Sequence, residues 1–186
     1  MRITGGEWRS RRLFGPSRGM PLRPTPDALR ERAFAVLGSD VAGARFLDLF
    51  AGTGSVGLEA LSRGASRIVF IEHHRAAHTI IQRNISQFED AAKQIRILCR
   101  TASKAITEFA RRGEIFDIAW ADPPFGEWQE GASVLATAWE KGVLKDNGIA
   151  CLELPAQANF EDLPPILEVQ RELAGGASRL LILGKG

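Results

Sequence analysis

Cysteine is scarce in this chain: Cys99 and Cys151 are the only two among 186 residues, and each sits inside an apolar, strand-like run. A disulfide framework is thereby excluded, and two buried, reduced thiols are expected. Long apolar runs are missing as well. No stretch approaches the roughly 20 residues a membrane helix needs, and Met1-Arg2-Ile3-Thr4-Gly5-Gly6-Glu7-Trp8 has no apolar signal-peptide core. The reading is a cytoplasmic protein without membrane contact. Histidine is confined to His73, His74 and His78. His74 and His78 share a helix face, but the glutamate and third ligand of a zinc hydrolase are missing, so no metal is expected. No repeat or low-complexity tract interrupts the sequence, and its length fits one core with at most a small appendage.

Residues 1–32 contain no lysine but eight arginines (Arg2, Arg9, Arg11, Arg12, Arg18, Arg23, Arg30 and Arg32) against Glu7, Asp27 and Glu31. That net of +5 leaves −3 for the rest of a chain whose formal charge is +2. A purely arginine set favours bidentate phosphate contact and stacking, and Trp8 adds an aromatic ring among the guanidinium groups. Residues 1–24 therefore read as a basic arm or hairpin for a nucleic-acid backbone, with Arg2, Trp8, Arg9, Arg11, Arg12 and Arg23 as contacts and Arg30 just beyond. Residues 25–186 read as the enzymatic domain.

Apolar, β-branched runs at residues 46–50, 67–71, 95–99, 115–121 and 149–154 alternate with helical patterns at 56–63, 75–88, 102–112 and 133–141. The alternation predicts right-handed βαβ units on a parallel sheet. Residues 166–173 and 178–183 flank Ala174-Gly175-Gly176-Ala177, whose glycines permit the positive φ of a tight turn, so a closing antiparallel hairpin is expected. Residues 3–14 suit a short hairpin. Thr25-Pro26-Asp27 suits a helix start, with Thr25 as N-cap, Pro26 in the first helical position and the helix running to about Leu37. The expected fold is α/β, a doubly wound and mostly parallel sheet with a C-terminal hairpin.

Two motifs carry chemistry. The run Leu47-Asp48-Leu49-Phe50-Ala51-Gly52-Thr53-Gly54 puts a glycine-rich turn between the first strand and its helix, and Glu72 follows Gly52 by twenty positions, the spacing for a carboxylate on an adenosine ribose. A dinucleotide site for an NAD-dependent oxidoreductase has the same outline. Asp48 at the strand end instead suits a ligand with an ammonium and a sulfonium. The second motif, Asp122-Pro123-Pro124-Phe125, closes the apolar run 115–121. A carboxylate and a backbone carbonyl accept the hydrogens of an amino group on a planar ring, and an aromatic side chain stacks on that ring. Hydrogen bonds that draw both N–H groups out of conjugation aim the nitrogen lone pair at an electrophile. Neither cysteine lies in this loop, which argues against pyrimidine C5 methylation, where a thiolate must add to the ring. Trp120 reads as core, whereas Trp128 suits either the loop's packing or an extracted base.

Arg23-Pro24-Thr25, Asp27, Arg30-Glu31 and Phe34, the run Leu47 to Gly54, Gly57-Leu58-Glu59-Ala60-Leu61-Ser62-Arg63-Gly64 and Asp122-Pro123-Pro124-Phe125 together resemble the bacterial 16S rRNA (guanine(966)-N(2))-methyltransferases. The likeness runs nearly end to end. It implies a Rossmann-like seven-stranded class I fold, with S-adenosylmethionine as methyl donor and S-adenosylhomocysteine as product. The implied acceptor is a guanine of 16S rRNA, in the small subunit or its assembly intermediate; the protein itself is expected to be a monomer. It also implies that Asp48, Phe50, Ala51, Gly52, Thr53, Gly54, Glu72, Thr101 and Ala102 hold the donor, and that Asp122, Pro123, Pro124 and Phe125 form the catalytic loop. The chain departs from the pattern at Thr101, where Asp is usual, at Pro26 for Thr and at Ala35 for Asn. Methylation of DNA, another RNA or a protein amide, and a non-catalytic RNA-binding module, stay open on the residues alone.

Overall fold

The computed structural model describes residues 1–16, 25–159, 161 and 163–186. Seven strands form one sheet: β1 (Arg45–Asp48), β2 (Arg67–Ile71), β3 (Ile95–Leu98), β4 (Phe116–Ala121), β5 (Leu144–Pro155), β6 (Leu167–Gly175) and β7 (Ser178–Lys185). Their order is β3-β2-β1-β4-β5-β7-β6, with β7 antiparallel to both its neighbours and the remaining pairings parallel. The helices are α1 (Asp27–Leu37), α2 (Ser55–Ser62), α3 (Arg75–Ile85), α4 (Ala102–Arg112) and α5 (Trp128–Glu140). This is the α/β fold of class I methyltransferases. Among the described residues no helix is long and apolar enough to cross a membrane.

A parallel sheet covered on both faces needs strands apolar on both sides, and alternation assigns each side chain to one layer. Leu47, Val69, Ala119, Ala121 and Leu152 pack with Ile106, Phe109, Leu135 and Trp139 of α4 and α5. Phe46, Ile68, Phe70, Ile118, Trp120 and Cys151 pack with Phe34 of α1, Leu58 of α2 and Ile81 of α3. Trp120 is core, as expected, and lies parallel to Phe34 with ring centroids 6.0 Å apart. Trp128 is buried in the α4/α5 layer, so of its two readings the packing one holds. Cys151 is a buried free thiol, but Cys99 is exposed, contrary to expectation. It lies one residue past the end of the sheet-edge strand β3, beyond the cover of either layer.

The N-terminal segment folds back on itself, with Arg2 bridged to Arg12 and with the Ile3 N–H donating to the Arg11 carbonyl and the Ser10 N–H to the Ile3 carbonyl, both at 2.9 Å. Ile3 and Leu13 join the α1/α2 layer. The end of α2 grips the segment: the Ser62 hydroxyl donates to the Gly5 carbonyl (2.6 Å), and the Ser62 carbonyl accepts from the Glu7 N–H (2.8 Å). Gly6, at φ 77°, has no room for a side chain there, because a Cβ would lie 1.8 Å from the Ser62 carbonyl oxygen. Thr25 is not the N-cap of α1: Pro26 occupies that place, and no side chain caps the helix. Its hydroxyl is engaged 97 residues away instead.

Candidate active site

Four carboxylates stand at the carboxyl ends of the strands, where open α/β sheets bind ligands. Asp48 ends β1, Glu72 follows β2, Asp122 follows β4, and Glu153 lies near the end of β5. Asp48 is 1% exposed and accepts the Gly57 N–H at 3.2 Å, fastening the strand end to the first turn of α2. Burial pushes its carboxyl up to about 7; the Glu72 charge adds to this, and the N–H groups of Gly57 and Phe50 oppose it. Glu72 closes the loop from the other side. One oxygen accepts the Gly52 N–H (2.9 Å) and the other the His74 N–H (2.7 Å), which leaves a further lone pair on each for hydroxyl donors.

Gly52 and Gly54 both have positive φ, 53° and 78°, and Gly54 is the residue immediately before α2. Ala51 and Thr53 are buried and Phe50 half-buried. The loop is pinned from behind by Asn84 of α3, fully buried, whose side-chain amide donates to the Thr53 carbonyl at 2.8 Å and to the Phe14 carbonyl at 3.0 Å. Its amide oxygen accepts the Phe14 N–H at 2.7 Å. Thr101 and Ala102 lie where α4 starts, Thr101 half-buried and Ala102 buried.

Asp122 is half-buried, and Thr25 donates to its Oδ2 at 2.8 Å. Burial raises the Asp122 carboxyl well above the usual carboxylate range; Glu153 and Asp48 add to the shift, and the Thr25 hydroxyl opposes it. Pro123 is buried, Pro124 exposed, and the Pro124 carbonyl accepts the Glu127 N–H at 2.7 Å in a 3-10 turn that begins at Phe125. The Phe125 side chain lies outside what is described. The sheet therefore brings Asp48, the glycine loop, Glu72 and Asp122 to one edge. Reasoning from the sequence missed Thr25, Asn84 and Glu153. Glu153 carried a signal: like Asp48 and Asp122, it is a lone carboxylate at the end of an apolar run.

The basic residues divide. Arg2, Arg9, Arg11 and Arg12 are exposed, and Trp8 is half-buried. Trp8 lies 4.3 Å from the Phe88 ring, Arg11 lies 5.1 Å above the same ring, and the three line a cleft of about 510 Å³. Arg23 lies outside the described residues. Arg30, expected on nucleic acid, is fully buried and turned inward to Glu59 (3.4 Å), Asp27 (2.9 Å) and the Arg2 and Thr25 carbonyls, so it cannot reach a phosphate. Its position on the core side of an amphipathic helix overrides its charge, because Glu59 supplies the compensating carboxylate.

The family described as Conserved hypothetical protein 95 matches residues 1–184. The Escherichia coli K12 protein named ribosomal RNA small subunit methyltransferase D is 34% identical over 178 residues, covering 95% of this chain and 85% of the relative. The solved structure of yhhF from Escherichia coli superposes with a TM-score of 0.82 at 28% identity, over 100% of this chain and 97% of that one. A methyltransferase crystallised with SAH shares the fold, with a TM-score of 0.70 at 12% identity over 88% of this chain and 50% of that one.

Proposed function

The chain belongs to the family described as Conserved hypothetical protein 95, among rRNA methyltransferases, and from that premise we propose that it methylates the exocyclic N2 of a guanine in 16S rRNA of the small subunit, with S-adenosylmethionine as donor. The observation that carries this reading is Asp122, set beside the Asp48–Gly54 loop by strand order and held from outside the sheet by Thr25. When bound, S-adenosylmethionine supplies an electrophilic methyl group on a sulfonium sulfur. The residues present fit it: positive-φ glycines allow close backbone approach, Glu72 keeps lone pairs for two ribose hydroxyls, and Asp48 offers a buried charge to the cationic end. On the acceptor side, Asp122 and the Pro123 carbonyl take the two hydrogens of the amine while Phe125 stacks on the base. Asp122 receives the proton that leaves the nitrogen as the methyl carbon exchanges its bond to the sulfonium sulfur for one to nitrogen, with S-adenosylhomocysteine as the leaving group.

Mass analysis of nucleosides from undermethylated small subunits incubated with the enzyme and donor tests the proposal. N2-methylguanosine is expected, in greater yield from subunits or assembly intermediates than from free oligonucleotides, because a flipped base in a folded site must be presented. Methyladenosine, or no methylated nucleoside, would overturn it.

Donor affinity should depend on pH through Asp48, since only its ionised form attracts a cation. With its carboxyl titrating at about 7, affinity is full above that value and lost below it. Calorimetric titrations should show it falling about tenfold from pH 8 to pH 6, and Asp48→Asn should flatten the dependence while weakening binding at pH 8.

Arg9 and Arg12 are exposed on the folded-back segment, and we assign them to phosphates. Replacing both with Ala should lower the slope of log affinity against log salt by about 1.4, using roughly 0.7 per single-strand contact. An unchanged slope would remove them from the interface.

A further inference from the structure

Glu153 has no part in the chemistry above, yet it occupies an unusual place. It is 4% exposed, and its Oε2 has no hydrogen-bond partner among the described residues. The parallel register of β4 and β5 pairs Ala121 with Leu152. The next step of that register sets Asp122 beside Glu153, one strand spacing apart, about 4.8 Å. Alternation points both side chains to the same layer as Trp120 and Cys151. Thr25, 3% exposed, donates its single hydroxyl hydrogen to Asp122.

We infer that Glu153 is a positioning residue for Asp122: the two carboxyl groups hold one proton between them. This rests on Asp122 being the group that meets the acceptor amine. Two like charges side by side in a desolvated place do not both ionise readily. The pair then carries a single negative charge, and removing either member frees the other to ionise at lower pH. Burial raises each carboxyl, and the Glu153 charge raises Asp122 further.

Among the described residues no cation is paired with either carboxyl. Asp48 on β1 is a third acid, and the Cys151 thiol on β5 is pushed up by burial and stays neutral. Ser178 of β7 and Thr25 both offer a hydroxyl toward Glu153. From the helices, Arg30 of α1 and Glu59 of α2 face the same layer but are paired with each other, and Arg30 meets Thr25 through its carbonyl.

The test is a carboxyl 13C titration of the full-length protein labelled in Asp and Glu, for wild type, Glu153→Gln, Asp122→Asn and Thr25→Val. In wild type the pair should titrate in two steps more than about one pH unit apart. In Glu153→Gln, Asp122 should titrate in one step, about one unit or more below its wild-type midpoint, and in Asp122→Asn the Glu153 midpoint should fall likewise. Thr25→Val should raise the Asp122 midpoint. The reciprocal variants keep the measurement available if one does not fold. Superimposable titrations of the remaining carboxyl in wild type and variant would overturn the inference. In parallel, the acid limb of the methylation pH profile should move to lower pH in Glu153→Gln. A wild-type protein inactive on rRNA speaks against the proposed function, and the carboxyl titration still decides the role of Glu153.

Discussion

Asp122→Ala is expected to lower the turnover of methyl transfer by about 10²- to 10⁴-fold while leaving donor affinity within a factor of about two, because a positioned acceptor for the amine protons acts mainly in the transition state. Single-turnover methylation with saturating donor, alongside calorimetric titration of the donor, separates the two effects. Stability offers a further control. A carboxyl whose folded-state titration is raised destabilises the fold as pH rises from the ordinary carboxylate range through its own higher midpoint, since the native state then gives up a proton it prefers to keep. Asp122 is in that position, so its removal should leave neutral-pH stability unchanged or higher. A collapse of activity together with an unmoved or raised unfolding midpoint is the expected pair of results. Wild-type turnover in Asp122→Ala would rule out the loop chemistry.

The second large effect is on stability. Arg30→Ala should cost about 3–5 kcal/mol, because it removes one of two guanidinium partners of a buried carboxylate and leaves two backbone carbonyls without their donor. Glu59 is fully buried and takes the Thr4 N–H and hydroxyl, both at 2.7 Å, the Arg63 guanidinium at 2.8 Å and Arg30 at 3.4 Å. Arg30 also donates to the Arg2 and Thr25 carbonyls, so one substitution loosens the grip of α1 on the N-terminal segment and on the residue that holds Asp122. Arg30→Lys should recover only part of the loss, because an ammonium cannot serve four acceptors spread around a planar fork. Urea unfolding should show the midpoint fall with little change in slope. A loss under about 1 kcal/mol would mean that Arg63 and Thr4 alone satisfy Glu59.

Much of this architecture is written locally. The parallel strands are visible because a strand buried on both faces must be a short, continuous apolar run, and the amphipathic helices because α4, for instance, places Ala105, Ile106 and Phe109 on one face. The prediction for α4 and the strand β2 agree with the structure to the residue, whereas α5 begins at Trp128, five residues before the predicted start at residue 133. Its first turn contains Gly131, a weak helix former. Gly131 is there because a Cβ would come within 2.9 Å of the Pro123 ring. That close approach is a property of the packed loop and leaves no periodic mark in the sequence.

The sequence by itself determined the sheet's alternation, the closing hairpin, and the Asp48–Gly54, Glu72 and Asp122–Phe125 elements, because each is a contiguous pattern or a fixed spacing within one βα unit. Tertiary structure alone decided which polar residues work together. Arg30 stands with the surface arginines in composition but lies in the core, opposite a glutamate 29 positions on; Thr25 reads as a helix cap but reaches across 97 positions to Asp122. Asn84 joins Phe14 to Thr53, and Glu153 meets Asp122 only through the β4–β5 register. Burial makes the difference: a polar group removed from water must find its partner wherever the fold brings one, and that partner's distance along the chain has no local signature.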